Sequence, residues 1–217
     1  MNLDLFDHPD FHPNWREDLC PGAVVLRGAA LQDDVALLAE IDRIAGLVSF
    51  QYRATPGGYA MSVAMTNCGD VGWVTDKAGY RYQATSPESH QQWPPMPELF
   101  RAMAVKAAEQ AGFPGFEPDA CLINRYQPGA KMSLHQDKDE HDFGQPIVSV
   151  SLGLPAVFQF GGMERSDKTQ RVQLTHGDIV VWGGPSRLRY HGVLPLKAGE
   201  HPLTGSYRFN LTFRKAI

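Results

Sequence analysis

Apolar and polar positions follow two rhythms along this chain, and the change falls near residue 119. In the first part, Val35, Leu38, Ile41 and Ala45 recur at helical spacing within 31–45, with Gly46 placed to end the helix. Ala23–Leu26 reads as a short strand, and 51–82, rich in Tyr, Thr and Gly with strand-like alternation, suits a hairpin lid. Pro94–Pro97 then leads into a second helix over 98–111. From Asp119 onward at least six short strand-like runs, separated by Gly and Pro turns, predict a jelly-roll barrel. The expected fold is therefore mainly β with flanking helices. It divides into a poorly ordered segment 1–20, helices and lid over 21–112, and a jelly-roll core over 113–217, all in one domain.

The C-terminal run alternates most regularly. Arg208, Asn210, Thr212 and Arg214 fall on one face of a strand, and Phe209, Leu211 and Phe213 on the other. Ala120–Tyr126 repeats the pattern, with Leu122, Asn124 and Tyr126 sharing a face. Taken alone, either run also fits an amphipathic strand whose polar face meets solvent.

Composition narrows the class. With 217 residues and 43% hydrophobic content the chain can bury one sizeable core. It has no run of about 18 uncharged apolar residues, and its start lacks a basic region followed by an apolar one, so a soluble, unexported, cytoplasmic protein is expected, with no membrane partner. Cys20, Cys68 and Cys121 are odd in number and dispersed, which argues against a disulfide framework and a zinc knot. A net charge of −4 excludes a broad basic footprint, so any nucleic-acid contact must be short and local.

Three His-x-Asp triplets bear on chemistry: His8-Pro-Asp10, His135-Gln-Asp137 and His176-Gly-Asp178. The first lies in a polar, Pro-bearing terminus. The third sits between the apolar runs 171–174 and 179–182, where Gly and Asp signal a hairpin turn. His135 instead closes the run Lys131–Leu134, so it belongs to a strand framework rigid enough to hold a metal. A strand places His135 and Asp137 on one face, and a later histidine, His191, completes a facial triad that leaves three metal positions open. That is the donor set of a non-haem Fe(II) oxygenase rather than of a closed structural zinc site. Arg208 and Arg214, roughly 20 Å apart along an extended strand, could lean inward to grip the two ends of a small dicarboxylate with their planar forks.

The segments 56–69, 119–140, 146–162, 176–192 and 208–214 together resemble the AlkB family of Fe(II)- and 2-oxoglutarate-dependent dioxygenases, which repair alkylated nucleic-acid bases. RFNLTFR satisfies the family's R-x-N-x-T-x-R signature, and the 56 residues between His135 and His191 suit it. The resemblance implies that His135, Asp137 and His191 ligate Fe(II), and that Leu122, Asn124, Tyr126, Arg208, Asn210 and Arg214 surround 2-oxoglutarate. It further implies that Trp73 and the His135 ring sandwich a flipped base, that Asp139 accepts from its exocyclic amine, and that Thr55, Met65, Tyr80 and Arg165 complete the substrate contacts. Dioxygen would be the second co-substrate. The implied reaction is demethylation of 1-methyladenine or 3-methylcytosine in DNA, single-stranded, or in RNA, with succinate and formaldehyde released. A monomer without an obligate protein partner is expected. Two other classes stay open at this level: an oxygenase of the same chemistry acting on a protein or small metabolite, and a cupin-like metal-binding module without turnover.

Overall fold

The computed structural model describes residues 15–217, so His8 lies outside the described residues. Fourteen strands and two longer helices follow one another as β1 (Arg16–Cys20), β2 (Ala23–Leu26), α1 (Asp34–Leu47), β3 (Gln51–Ala54), β4 (Ala60–Gly69), β5 (Gly72–Asp76), β6 (Gly79–Gln83), α2 (Glu98–Gln110), β7 (Ala120–Tyr126), β8 (Met132–His135), β9 (Ile147–Gly153), β10 (Ala156–Phe160), β11 (Gln170–Leu174), β12 (Ile179–Trp182), β13 (His191–Val193) and β14 (Arg208–Arg214). A major sheet runs β1-β2-β12-β9-β14-β7-β4-β3, a minor sheet β11-β10-β13-β8, and β5 and β6 form a separate hairpin. Of the eight strands β7–β14, four lie in each sheet, alternating except at the β10–β11 hairpin of the minor sheet, and together they form the jelly roll.

Two cores lie on either side of the major sheet. Ile123, Val148, Val150, Leu211 and Phe213 pack against Leu37, Ile41 and Ile44 of α1 and Phe100 and Ala104 of α2. Between the sheets, Leu122, Tyr126, Phe158, Phe160, Val172, Trp182 and Val193 form the barrel interior. Because β14 is flanked by β7 and β9, it is a central strand and both its faces are buried. Its polar face therefore points into the barrel, which removes the solvated-strand alternative.

Four expectations need correction. The buried face of α1 is Leu37, Ile41 and Ile44, with Val35 64% exposed, so of the predicted stripe only Ile41 is fully buried. The chosen face carries the larger side chains and so buries more apolar area. Gly46 lies within the last turn of α1 and does not end it. The 175–178 turn joins strands that do not pair with each other: β11 pairs with β10, while β12 pairs with β2 and β9. It is a corner between sheets rather than a hairpin. Finally, Arg16–Cys20, placed in a poorly ordered segment, pairs with β2 at the edge of the major sheet, and β3 and β4, assigned to the lid, extend that sheet beyond β7 across the boundary drawn at residue 112. Only β5–β6 stands apart from the sheets. Long-range pairing, invisible to local periodicity, makes each of these choices.

Candidate metal centre and co-substrate pocket

β8 ends at His135, and β13 begins at His191; the two residues are direct partners in the β8–β13 ladder. Gly192 allows that approach, since a Cβ there would stand 2.7 Å from the Met132 carbonyl oxygen. Asp137 lies two residues beyond the strand, in the loop after β8, so strand alternation does not hold it. Arg214 of β14 does, donating from Nε at 3.0 Å and Nη2 at 2.6 Å to its Oδ2. The three ligating atoms all lie within 4.8 Å of one another.

The tautomers suit a cation. His135 Nδ1 lies 2.8 Å from the Ser133 carbonyl and His191 Nδ1 lies 3.0 Å from the Arg189 carbonyl. A carbonyl only accepts, so each Nδ1 carries a proton and each Nε2 is the nitrogen turned toward a cation. Burial and the neighbouring His135 push the His191 pKa down to about 4, which keeps that imidazole neutral. Burial alone would raise the Asp137 pKa, but Arg214 and the two histidines hold it well below the usual carboxylate range. Burial works against protonation of His135, but the neighbouring Asp137 outweighs it and raises the His135 pKa, so a cation would displace a proton from His135 while His191 and Asp137 already stand in their ligating forms.

Beside the triad, one cavity is lined by Asn124, Tyr126, Arg208, Asn210, Thr212 and Arg214 together with the three ligands. Arg208 is 1% exposed; its Nη2 donates to Ser151 Oγ at 3.0 Å, while Nε and Nη1 have no hydrogen-bond partner. Burial depresses its pKa, opposed by Tyr126, whose ring centroid lies 5.0 Å from the guanidinium carbon. A buried cation with two unmatched donor nitrogens suits an anionic acceptor, which would satisfy both the donors and the charge. Asn210 is different: its amide donates to Ser149 Oγ and the Val150 carbonyl and accepts from Thr212 and Asn124. Its hydrogen-bonding capacity is spent on neighbouring strands, so it orients the pocket rather than reaching a ligand. Leu122 contributes an apolar wall.

That geometry agrees with what comparison with known proteins returns. The family model of the 2OG-Fe(II) oxygenase superfamily matches residues 22–214. The chain belongs to this superfamily. It is 60% identical to the alpha-ketoglutarate-dependent dioxygenase AlkB of Salmonella typhimurium over 99% of this chain and 98% of that protein, and 58% identical to AlkB of Escherichia coli over the same shares. A solved structure of OsALKBH1 superposes with a TM-score of 0.79 at 30% identity, covering 93% of this chain and all of that one.

For a superfamily member, iron and 2-oxoglutarate fit the residues present. The two-histidine, one-carboxylate set suits Fe(II), and the unmatched Arg208 donors suit a distal carboxylate. Arg214 is less available than the sequence implied, because two of its nitrogens are committed to Asp137.

Of the predicted substrate contacts, the structure brings Trp73, Tyr80 and Asp139 together and leaves Thr55, Met65 and Arg165 on other elements. Trp73, on β5, stacks on Tyr80 of β6 with centroids 5.6 Å apart and donates its Nε1–H to Asp139 Oδ2 at 2.8 Å. The His135 ring packs against His191, with centroids 4.4 Å apart. Met65 is buried in β4 and Thr55 turns the β3–β4 connection, accepting from the Tyr59 amide at 3.2 Å. Arg165, exposed, donates to the Leu134 carbonyl and lies 5.0 Å from the Tyr190 ring, next to the strand that carries His135.

Sequence reasoning missed Ser149 and Ser151. Their signal was present: two hydroxyls at i and i+2 in an otherwise apolar strand mark a polar interior face. It also missed Glu140 and Arg187, a buried ion pair at 2.9 Å that nothing local announces. The His176 triplet does not join the centre: His176 Nε2 donates to Asp34 Oδ2 at 2.8 Å while its Nδ1 accepts from the Gly153 amide. The His8 triplet lies outside the described residues.

Proposed function

We propose that this protein removes methyl groups from alkylated bases such as 1-methyladenine and 3-methylcytosine in single-stranded DNA, and also in RNA. Methyl-bearing nitrogen, dioxygen and 2-oxoglutarate would be converted to the restored base, formaldehyde, succinate and carbon dioxide. The observation that carries the reading is the buried Arg208 fork, with two donors unmatched, in the same cavity as the His135, Asp137 and His191 triad. A metal-holding module without turnover has no need of that cation.

In this reading Arg208, with Asn124 and Tyr126, seats the distal carboxylate of 2-oxoglutarate, and the triad holds iron. Bound iron supplies the oxidising chemistry; the protein positions both substrates and excludes water. Arg214 keeps Asp137 ionised and oriented. Trp73 and Tyr80 form an aromatic platform for an extruded base, beside the Asp139 carboxylate that would accept from its exocyclic amine. Thr55 and Arg165 line the approach of the strand, while Met65 stays in the apolar core of the barrel. An enzyme that grips one extruded base needs few phosphate contacts, so a net charge of −4 is tolerable. No helix among the described residues is long and apolar enough to cross a membrane, and all three cysteines are free thiols, which suits a reducing cytoplasm.

The test is succinate and formaldehyde release, with Fe(II) and 2-oxoglutarate, on a single-stranded oligonucleotide carrying one 1-methyladenine. Equal amounts of the two products are expected. Succinate without base repair would move the substrate to a protein or a small metabolite.

A further inference from the structure

Trp73 and Tyr82 face each other across the β5–β6 hairpin as register partners. Both reach the loop that follows β8, and they land on consecutive residues: Trp73 Nε1 donates to Asp139 at 2.8 Å and Tyr82 Oη donates to Glu140 Oε1 at 2.6 Å. Burial pushes the Tyr82 phenol well above the ordinary tyrosine range, so it remains a donor.

Glu140 is itself the hub of a buried charge network. Arg187 donates Nη2 to its Oε2 at 2.9 Å, and the same guanidinium ties the loop to itself through the Asp137 carbonyl at 2.7 Å and the Gln145 carbonyl at 3.0 Å. On its other side, Arg214 Nε lies 3.3 Å from Glu140 Oε1 and 3.0 Å from Asp137 Oδ2, shared between the two carboxylates. Asp137, Arg214, Glu140 and Arg187 thus alternate in sign through the interior. None of them is more than 9% exposed. With Oδ2 taken by Arg214, Asp137 leaves Oδ1 on the His135 side, 3.5 Å from His135 Nε2. Whatever fixes Arg214 therefore fixes which oxygen of Asp137 meets a cation.

We propose that Glu140 is a positioning residue for Asp137, and that the Tyr82–Glu140 hydrogen bond couples occupation of the β5–β6 hairpin by a nucleic-acid strand to the affinity of the metal site. The proposal rests on the nucleic-acid reading above. A base seated against Trp73 orders the hairpin, and the ordered hairpin holds Glu140, Arg214 and Asp137 in register. Linkage is reciprocal, so the strand should tighten the metal by the same factor as the metal tightens the strand.

The test is a binding cycle with Mn(II), 2-oxoglutarate and an oligonucleotide carrying 1-methyladenine, on the wild type, Tyr82→Phe and Glu140→Gln. No turnover is read. The wild type should bind Mn(II) at least about fivefold tighter with the oligonucleotide than without it. Tyr82→Phe, which removes one hydroxyl and keeps the ring, should bring that factor close to one while leaving the thermal midpoint near the wild-type value. Glu140→Gln should also weaken Mn(II) in the absence of oligonucleotide. An unchanged factor in Tyr82→Phe overturns the coupling, as does a wild-type factor of one in a protein that still binds the oligonucleotide. Failure of the wild type to bind the oligonucleotide at all overturns the nucleic-acid reading, and the coupling with it.

Discussion

Arg208 gives one nitrogen, Nη2, to Ser151 Oγ at 3.0 Å and turns the rest of its fork into the cavity beside the triad. Ser151 thereby sets the angle at which a carboxylate would be received. Lysine at position 208 keeps the charge but offers no fork, and it cannot both hold Ser151 and receive a carboxylate bidentately. Losing one charge-assisted hydrogen bond, about 1.5–3 kcal/mol, should weaken 2-oxoglutarate roughly ten- to a hundredfold. Titration of 2-oxoglutarate into Arg208→Lys loaded with Mn(II) checks this; an unchanged midpoint would remove Arg208 from the pocket.

Asp137→Ala, His135→Ala and His191→Ala should each abolish turnover with the fold retained. A three-ligand set has no spare donor. In Asp137→Ala the buried Arg214 still has Glu140 at 3.3 Å, so its charge is not stranded. Circular dichroism and product assays on the same samples read fold and activity separately.

His176→Ala is the contrasting case. Its ring accepts from Gly153 and donates to Asp34, so its loss leaves a buried amide unpaired and should cost about 1–3 kcal/mol of stability. Activity per folded molecule should stay at the wild-type level. A complete loss of turnover in folded His176→Ala would mean that the metal has been assigned to the wrong His-x-Asp pair.

Chelation should stop turnover without unfolding the protein. The triad's one carboxylate is already compensated by Arg214, and the barrel strands around it are paired through backbone ladders. Emptying the site therefore exposes no unmatched buried charge. A thermal scan with and without chelator should show both samples folded at 25 °C, with the midpoint falling by a few degrees at most; cooperative unfolding on chelation would make the metal structural.

Trp73→Ala separates a stacking platform from a packing anchor. Loss of one aromatic stack, about 1–3 kcal/mol, should weaken binding of a methylated oligonucleotide roughly five- to a hundredfold. Trp73 is half-buried on a hairpin outside both sheets, so its truncation should cost less than the ~3–5 kcal/mol of a core tryptophan. Oligonucleotide affinity and thermal midpoint are measured on one preparation. A large melting loss with unaltered affinity would assign Trp73 to packing.

The sequence by itself determined which residues alternate, and therefore which side chains must share a face. Arg208, Asn210, Thr212 and Arg214 had to stand together, as did Leu122, Asn124 and Tyr126, because a strand repeats every two residues. The strand-rich second half was legible for the same local reason, whereas the His-x-Asp spacing was only a pointer, since Asp137 lies beyond its strand and is held by Arg214. Periodicity shows that two faces differ, but not what each one meets. Only the tertiary structure decided that the polar face of β14 looks into a barrel, by flanking it with β7 and β9. Long-range pairing also brought His191 opposite His135, parted β11 from β12, and turned α1 so that Leu37 rather than Val35 meets the core. The Asp137, Arg214, Glu140 and Arg187 network is the furthest from local reach. Its charges are stable inside only because partners from distant segments arrive in the right geometry, and no window along the chain contains that condition.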